Sequence, residues 1–263
     1  MAHVTRPQSG SVDPAPADDA DVAHMSVIAH LKELRMRLSR AMIGVLLGMG
    51  VGVFLISPPV NLVDIIIRAF LVTDRGYPPV QAVGTAEAFT SYMTVALAVG
   101  FILGMPVIVY ELLAFIVPAL EHHEQRILSR ALPFIMLFFL TGLLFGWFVT
   151  VPVAIRFLTS FGNPELIANQ PSLSNFLHTV TFLLLVNGVI FEMPIIIFTL
   201  AFLGLVQVHQ LSGYRRYAIV IIAIVAAVIT PTGDPINLML LALPMYLLYE
   251  FGIFLARFAP RRE

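Results

Sequence analysis

Beyond residue 40 the chain is a succession of long uncharged runs separated by short polar stretches. The runs cover 41–63, 88–110, 131–155, 166–191, 217–233 and 235–249, and the fourth continues to 214 past a single acid, Glu192. A helix needs about 20 apolar residues to cross a ~30 Å hydrocarbon core. Trimming the runs at their breakers predicts spanning helices near 40–57, 89–113, 131–151, 178–204, 217–230 and 236–254. Strands fit poorly, because the runs are continuously apolar and lack the ten-residue alternation of an outer-membrane barrel. Backbone groups in lipid must also be paired within the segment, which leaves helices. The expected fold is an all-α integral membrane protein of six transmembrane helices.

Local signals support these boundaries. Thr85 precedes span two with Glu87 in its first turn, Ser172 or Ser174 precedes span four, and Asp234-Pro235 reads as N-cap and N1 of span six. Gly44, Gly48 and Gly52 recur at every fourth position of span one, as do Gly142 and Gly146 in span three. Small residues so spaced let helices approach closely in lipid, within one chain or between copies. Spans five and six read as short, covering roughly 20–27 Å at 1.5 Å per residue. Such a pair thins the bilayer locally, or its ends absorb the mismatch by snorkelling. Ahead of span one, Val27, Leu31, Leu34 and Leu38 make the apolar stripe of an amphipathic helix over 26–40, with Ser26 as its N-cap. The expected organisation is an acidic, Pro-rich disordered leader over 1–24, a membrane domain over 25–258 and a basic tail over 259–263. The leader has no apolar h-region and does not read as a signal peptide.

Composition sharpens this picture. The chain is 59% hydrophobic and only 12% charged, with mean hydropathy +0.91. A soluble domain carries about 25% charged residues, so this chain has too little polar surface to coat a globule. The net charge of −1 argues against a general nucleic-acid binder. The absence of cysteine excludes disulfides, zinc thiolate sites, iron–sulfur clusters and cysteine nucleophiles. With six spans both termini share a side, and twelve of the fifteen Lys and Arg fall there, leaving only Arg68, Arg75 and Arg156 opposite. That asymmetry predicts cytoplasmic termini.

Few residues carry candidate chemistry. Glu33 and Arg37 stand four apart, as an exposed helical ion pair would. Glu121 and Glu124, after span two, make a negative spot on the otherwise positive side. The residues at i+3 and i+4 of Glu124 are Ile127 and Leu128, so it is a solvated loop acid or a site for a cationic ligand. A guanidinium suits it, since its fork bonds a carboxylate bidentately. His122, His123 and Glu124 look superficially like metal ligands, but adjacent histidines diverge on a helix and no third ligand stands at metal spacing. Glu192, in Phe191-Glu192-Met193-Pro194, is the one acid deep in a span and has no polar residue within a helical turn. It is a neutral hydrogen-bonder or faces a cavity or partner. No phosphate loop, catalytic triad or zinc-protease motif occurs, so neither an enzyme nor a cofactor is expected. A proton-coupled transporter built on Glu192 would instead show inverted repeats and paired broken helices.

Several blocks, in order, resemble one family. His30-Leu-Lys-Glu33-Leu-Arg35-Met-Arg37 is similar to the HLxELRxR signature of TatC, the large subunit of the twin-arginine (Sec-independent) protein translocase. Pro106-Val-Ile-Val-Tyr110, Phe115-Ile-Val-Pro118-Ala-Leu120 and Glu124-Gln-Arg126 resemble its first cytoplasmic loop. Phe191-Glu192-Met-Pro194, Thr230-Pro231, Asp234 and Pro244-Met-Tyr246-Leu-Leu-Tyr249-Glu250 resemble its later blocks. The resemblance implies a concave, glove-like receptor in the bacterial cytoplasmic (inner) membrane that binds twin-arginine signal peptides of folded cargo. TatA and TatB would be its partners, more than one copy would occupy the complex, and the protonmotive force would supply the energy. It implies peptide binding at Glu33 and Glu124, with His30, Arg35, Phe115 and Glu121 around them. Glu192 would be an intramembrane polar site, and Pro106, Pro118, Thr230, Pro231, Asp234 and Asn237 would be structural or partner-contact positions. The usual Thr-Pro-Pro-Asp turn before span six is one residue longer here, and Asn237 stands near the family's glutamine. A basic residue common near the start of span two has no match around 90–92.

Overall fold

Continuous apolarity with internally satisfied backbones makes helices throughout. The computed structural model describes residues 19–71, 80–116, 122–160, 171–230 and 234–258, with side chains from residue 31 onward apart from 113, 116 and 122–131. In chain order the helices are α1 (Asp19–Ile56), α2 (Leu62–Phe70), α3 (Glu87–Ile116), α4 (His122–Phe145), a π-helical turn (Gly146–Thr150), α5 (Val151–Ser160), α6 (Leu173–Phe191), α7 (Met193–Phe202), α8 (Val208–Gly213), α9 (Arg215–Ile229) and α10 (Pro235–Ala256). Among the described residues, five stretches are long and apolar enough to cross a membrane: Leu31–Ile56, Glu87–Leu112, Leu132–Ser160, Leu173–Phe202 and Pro235–Ala256. The sixth, α9, has 15 residues and is about 22 Å long.

Some boundaries differ from those read in the sequence. The first helix begins at Asp19, so Ser26 lies inside it rather than capping it, and the expected leader boundary at 24 falls within a continuous helix. Residues 1–18 and 259–263 lie outside the described residues. Span three does not stop at 151, because the π turn carries it into α5 and on to Ser160. Of the two helices expected to be short, α9 is short, whereas α10 runs 22 residues from Pro235 to Ala256, about 33 Å. The amphipathic α2 was not foreseen. It buries Val63 and Ile66 and presents Asp64 and Arg68 in its first and last turns. Phe70 at its end meets Trp147 of the π turn edge-on, with ring centroids 4.7 Å apart.

Small residues set the spacing of the bundle. Along the α1–α3 seam, a Cβ on Gly48 would stand 2.8 Å from the carbonyl oxygen of Gly100, and one on Gly100 would stand 2.8 Å from the amide of Met49. Gly52 faces the Ala96 backbone in the same way. Between α4 and α6, a Cβ on Gly142 would lie 2.6 Å from the Asn187 carbonyl oxygen, and the ring of buried Phe139 lies against Gly188. Gly48, Gly52 and Gly142 therefore serve packing within one chain, backbone on backbone, whereas Gly44 and Gly146 meet side chains. The α6 helix is the hub of the core, burying Phe176, Leu177, Val180, Leu183 and Ile190 along its length.

At the end where α3 and α6 begin, Glu87 acts as a clasp. Its carboxylate accepts from the N–H groups of Val83, Gly84 and Ser174, joining the start of α3 to the first turn of α6. A parallel bridge between Gln81 and Ser172 runs alongside, with Leu173 N–H donating to the Gln81 carbonyl at 2.8 Å. Ser172, one of the two caps expected, is the N-cap of α6 and accepts from Asn175 N–H. Glu87→Ala should lower the melting temperature and speed amide exchange at Gly84 and Ser174. Unchanged exchange at both amides would show that the clasp holds nothing.

Candidate functional site

The charged positions of α1 lie just ahead of its apolar stretch, and the end of α3 is packed beside them by the glycine seam. Arg37 reaches back one turn, its Nη2 and Nε donating to Oε1 of Glu33 at 2.7 and 3.0 Å. The third arm crosses between helices: Nη1 donates to Oε2 of Glu111 on α3 at 3.1 Å. Arg40 Nη1 stands 3.6 Å from the other oxygen of Glu111. The helical ion pair expected between Glu33 and Arg37 is thus present, but as one half of an inter-helical chain, Glu33–Arg37–Glu111–Arg40. Burial increases from its first member to its third: the side chains of Glu33, Arg37 and Glu111 are 30%, 21% and 10% exposed, while Arg40 at the end is 57% exposed. A partly buried pair of this kind holds only if each remaining donor and acceptor is met.

Sequence reasoning assigned Glu111 no role. A signal was available, since Glu111 closes an apolar helix and has only Val107, Ile108, Ala114 and Phe115 at i±3 and i±4. An acid so placed needs a partner from another helix, and Arg37 is at the same end of the bundle.

The other expected site residues divide into those the structure describes and those it does not. His30 lies in α1 and Glu124 in the first turn of α4, but their side chains are outside the described residues, as are Pro118, Glu121 and Pro231 altogether. Arg35 is exposed and Phe115 half-buried, and Pro106 sits inside α3 without ending it. Beyond α9, Thr230 is buried and donates to the Ala226 carbonyl at 2.6 Å. Asp234 caps α10 as expected. It accepts the Asn237 N–H at 2.7 Å with one oxygen and the Asn237 side-chain amide at 2.8 Å with the other. Thr230 and Asn237, with Thr150 and Thr179, line a small cavity inside the bundle. Nearby, Thr150 of the π turn donates to Asn187 Oδ1 at 3.1 Å, and Asn187 Nδ2 donates to the Leu183 carbonyl at 2.8 Å. Neither residue was singled out in the sequence, because Thr and Asn do not interrupt an apolar run.

Glu192 occupies the break between α6 and α7, ending one helix and starting the next. Its N–H bonds the Val189 carbonyl three residues back, a tightened last turn, and Pro194 follows as an early residue of α7. The residue is 1% exposed, and neither carboxylate oxygen has a hydrogen-bond partner among the described residues. None of the described helices supplies the partner that an acid at this depth requires.

A family model, TatC: Sec-independent protein translocase protein (TatC), matches residues 29–244. The Sec-independent protein translocase protein TatC of Aquifex aeolicus is 35% identical over 242 residues, covering 91% of this chain and 98% of that protein. The TatC of Azotobacter chroococcum is 35% identical over 249 residues, 94% of each chain. A crystal structure of a twin-arginine translocase receptor, TatC, superposes with a TM-score of 0.72 at 35% identity, covering 88% of this chain and all of the other. The chain belongs to the TatC family.

TatC proteins are subunits of a protein translocase, not enzymes. The described helices, with the short α9 as the sixth crossing, are the six-helix TatC fold. Glu33, Arg37, Glu111, Glu124 and Glu192 all lie within the matched TatC region, whereas Glu250 lies beyond it. Glu250 nevertheless holds two elements together. It takes Arg215 at 2.8 and 2.9 Å and Tyr246 Oη at 3.2 Å, tying the start of α9 to the end of α10.

Proposed function

We propose that this chain is the receptor subunit of a twin-arginine translocase in a bacterial cytoplasmic membrane, with both termini in the cytoplasm. It binds the Arg-Arg segment of signal peptides on folded cargo at Glu33 and Glu124, and it organises TatA and TatB around the membrane domain, in more than one copy. The observation that carries this reading is the guanidinium already seated on Glu33, where Arg37 places two N–H groups within 3.0 Å of one oxygen. A carboxylate that accepts an internal guanidinium in this geometry has the chemistry to accept a peptide's. The twelve-to-three excess of basic residues supports the orientation. The exposed apolar face of α9, with Val220, Ile221, Ile224 and Val228, is available to single-span partners. Glu192 is a second polar contact, at depth.

Glu33→Ala and Glu124→Ala are each expected to weaken binding of an Arg-Arg signal peptide by tenfold or more, with insertion unchanged. Hydrogen bonds to charged groups contribute about 1.5–3 kcal/mol each, and about 1.4 kcal/mol is a factor of ten. A Lys-Lys peptide keeps the charge but loses the planar fork, and should bind as weakly. Unchanged affinity in both alanine variants would remove the site from these acids.

A further inference from the structure

We propose that Glu111 is a positioning residue that holds Arg37 while Glu33 takes the peptide's guanidinium, so that Arg37 is a built-in competitor whose release Glu111 controls. The inference rests on the reading of Glu33 as a peptide-binding acid. The three arms of Arg37 are divided unequally. Nε and Nη2 both fall on Oε1 of Glu33, while Nη1 alone reaches Glu111. The shared carboxylate is the more exposed of the two, 30% against 10% for Glu111, so an incoming cation meets Glu33 first.

A second guanidinium on Glu33 sets two positive groups a few ångströms apart, and the arriving one gains little unless Arg37 yields. Arg37 is itself only 21% exposed, so release into nothing would leave a half-buried cation without its anion. Glu111 removes that difficulty. It lies on α3, held against α1 by the Gly48–Gly100 contact, and it already accepts one Arg37 arm at 3.1 Å. Turning the guanidinium about its own stem brings a second arm onto Glu111 with no helix movement, and Arg40, 3.6 Å from the other oxygen, is exposed enough to return to water. The four charges are balanced at rest. With the peptide bound, its arginine neutralises Glu33 and Arg37 neutralises Glu111, leaving Arg40 solvated.

The test is a double-mutant cycle on the full chain in lipid nanodiscs, read as affinity for a synthetic peptide carrying Arg-Arg ahead of an apolar run. Glu111→Gln is expected to weaken binding about tenfold, because Arg37 then stays on Glu33. Arg37→Gln should tighten binding several-fold by removing the competitor. In the Arg37→Gln background, Glu111→Gln should change affinity by less than about twofold. An equal loss in both backgrounds would make Glu111 a structural or direct contact and overturn the proposal, as would an unaffected Glu111→Gln. If Glu111→Gln does not insert, Arg37→Gln alone decides, since weaker or unchanged binding there overturns it. Glu33→Ala separates the two readings: if it leaves affinity unchanged, the peptide site itself is misplaced. If it costs affinity while Glu111→Gln does not, only the exchange with Glu111 fails.

Discussion

Glu192→Leu is expected to raise the melting temperature of the purified protein and to abolish export of a twin-arginine reporter. The two effects share one cause. Glu192 is almost wholly buried at the α6–α7 break, and both of its oxygens are without a partner among the described residues. An unsatisfied buried polar group costs about 1–3 kcal/mol, and replacing it with an apolar side chain of similar size recovers that cost. A buried acid that weakens its own fold is the kind of site at which activity is traded against stability. If the partner that completes it is a signal peptide or a neighbouring subunit, as proposed above, a leucine cannot receive it. Glu192→Gln keeps the shape and hydrogen-bonding capacity, so it should retain much of the export if the contact is a neutral hydrogen bond. Normal export from the leucine variant would take Glu192 out of the mechanism. Crosslinking from position 192 in the wild-type frame identifies the partner.

Gly52→Leu should prevent the protein from accumulating as a folded, monodisperse species, whereas Gly50→Leu should be tolerated. Gly52 faces the Ala96 backbone, with the Ala96 Cα 2.9 Å from where a Cβ would sit, and backbone cannot move aside as a side chain can. Overpacking costs about 1–3 kcal/mol even where side chains can adjust, and more where they cannot. Prising α1 from α3 would also separate Arg37 from Glu111, so peptide binding should fall with stability. Gly50, two positions away on the other side of α1, has nothing within 4 Å of where its Cβ would sit. Equal tolerance at 50 and 52 would mean that the seam is looser than the α1–α3 geometry requires.

How far the sequence could be read follows from which properties are local. A spanning helix satisfies its backbone within its own segment, so an unbroken apolar run is enough to predict it, and the helices did fall on those runs. Caps are local as well. Ser172 and Asp234 act within three residues of themselves, and both were identifiable by type and position. The glycine stripes announced close approach through their four-residue spacing, although only the structure shows that the partner is another helix of the same chain.

What depends on the rotation of one helix against another was not in the sequence. Glu111 is one more acid at the end of a span until α3 is seated on α1, and 74 positions separate it from the arginine it holds. Thr150 and Asn187 become a pair only where the π turn presses α4 and α5 against α6. The extension of span three through that turn, and the packing of α2 by Val63, Ile66 and Phe70, have the same origin. The acids at 33 and 192 could be found by type and depth, because a charge in or beside an apolar run stands out. Their circumstances could not: among the described residues Glu33 is occupied and Glu192 is not. In lipid, apolarity settles that a helix crosses but says little about which face turns toward which neighbour. That choice falls to close backbone contacts and a few polar pairs, and those exist only once the helices have met.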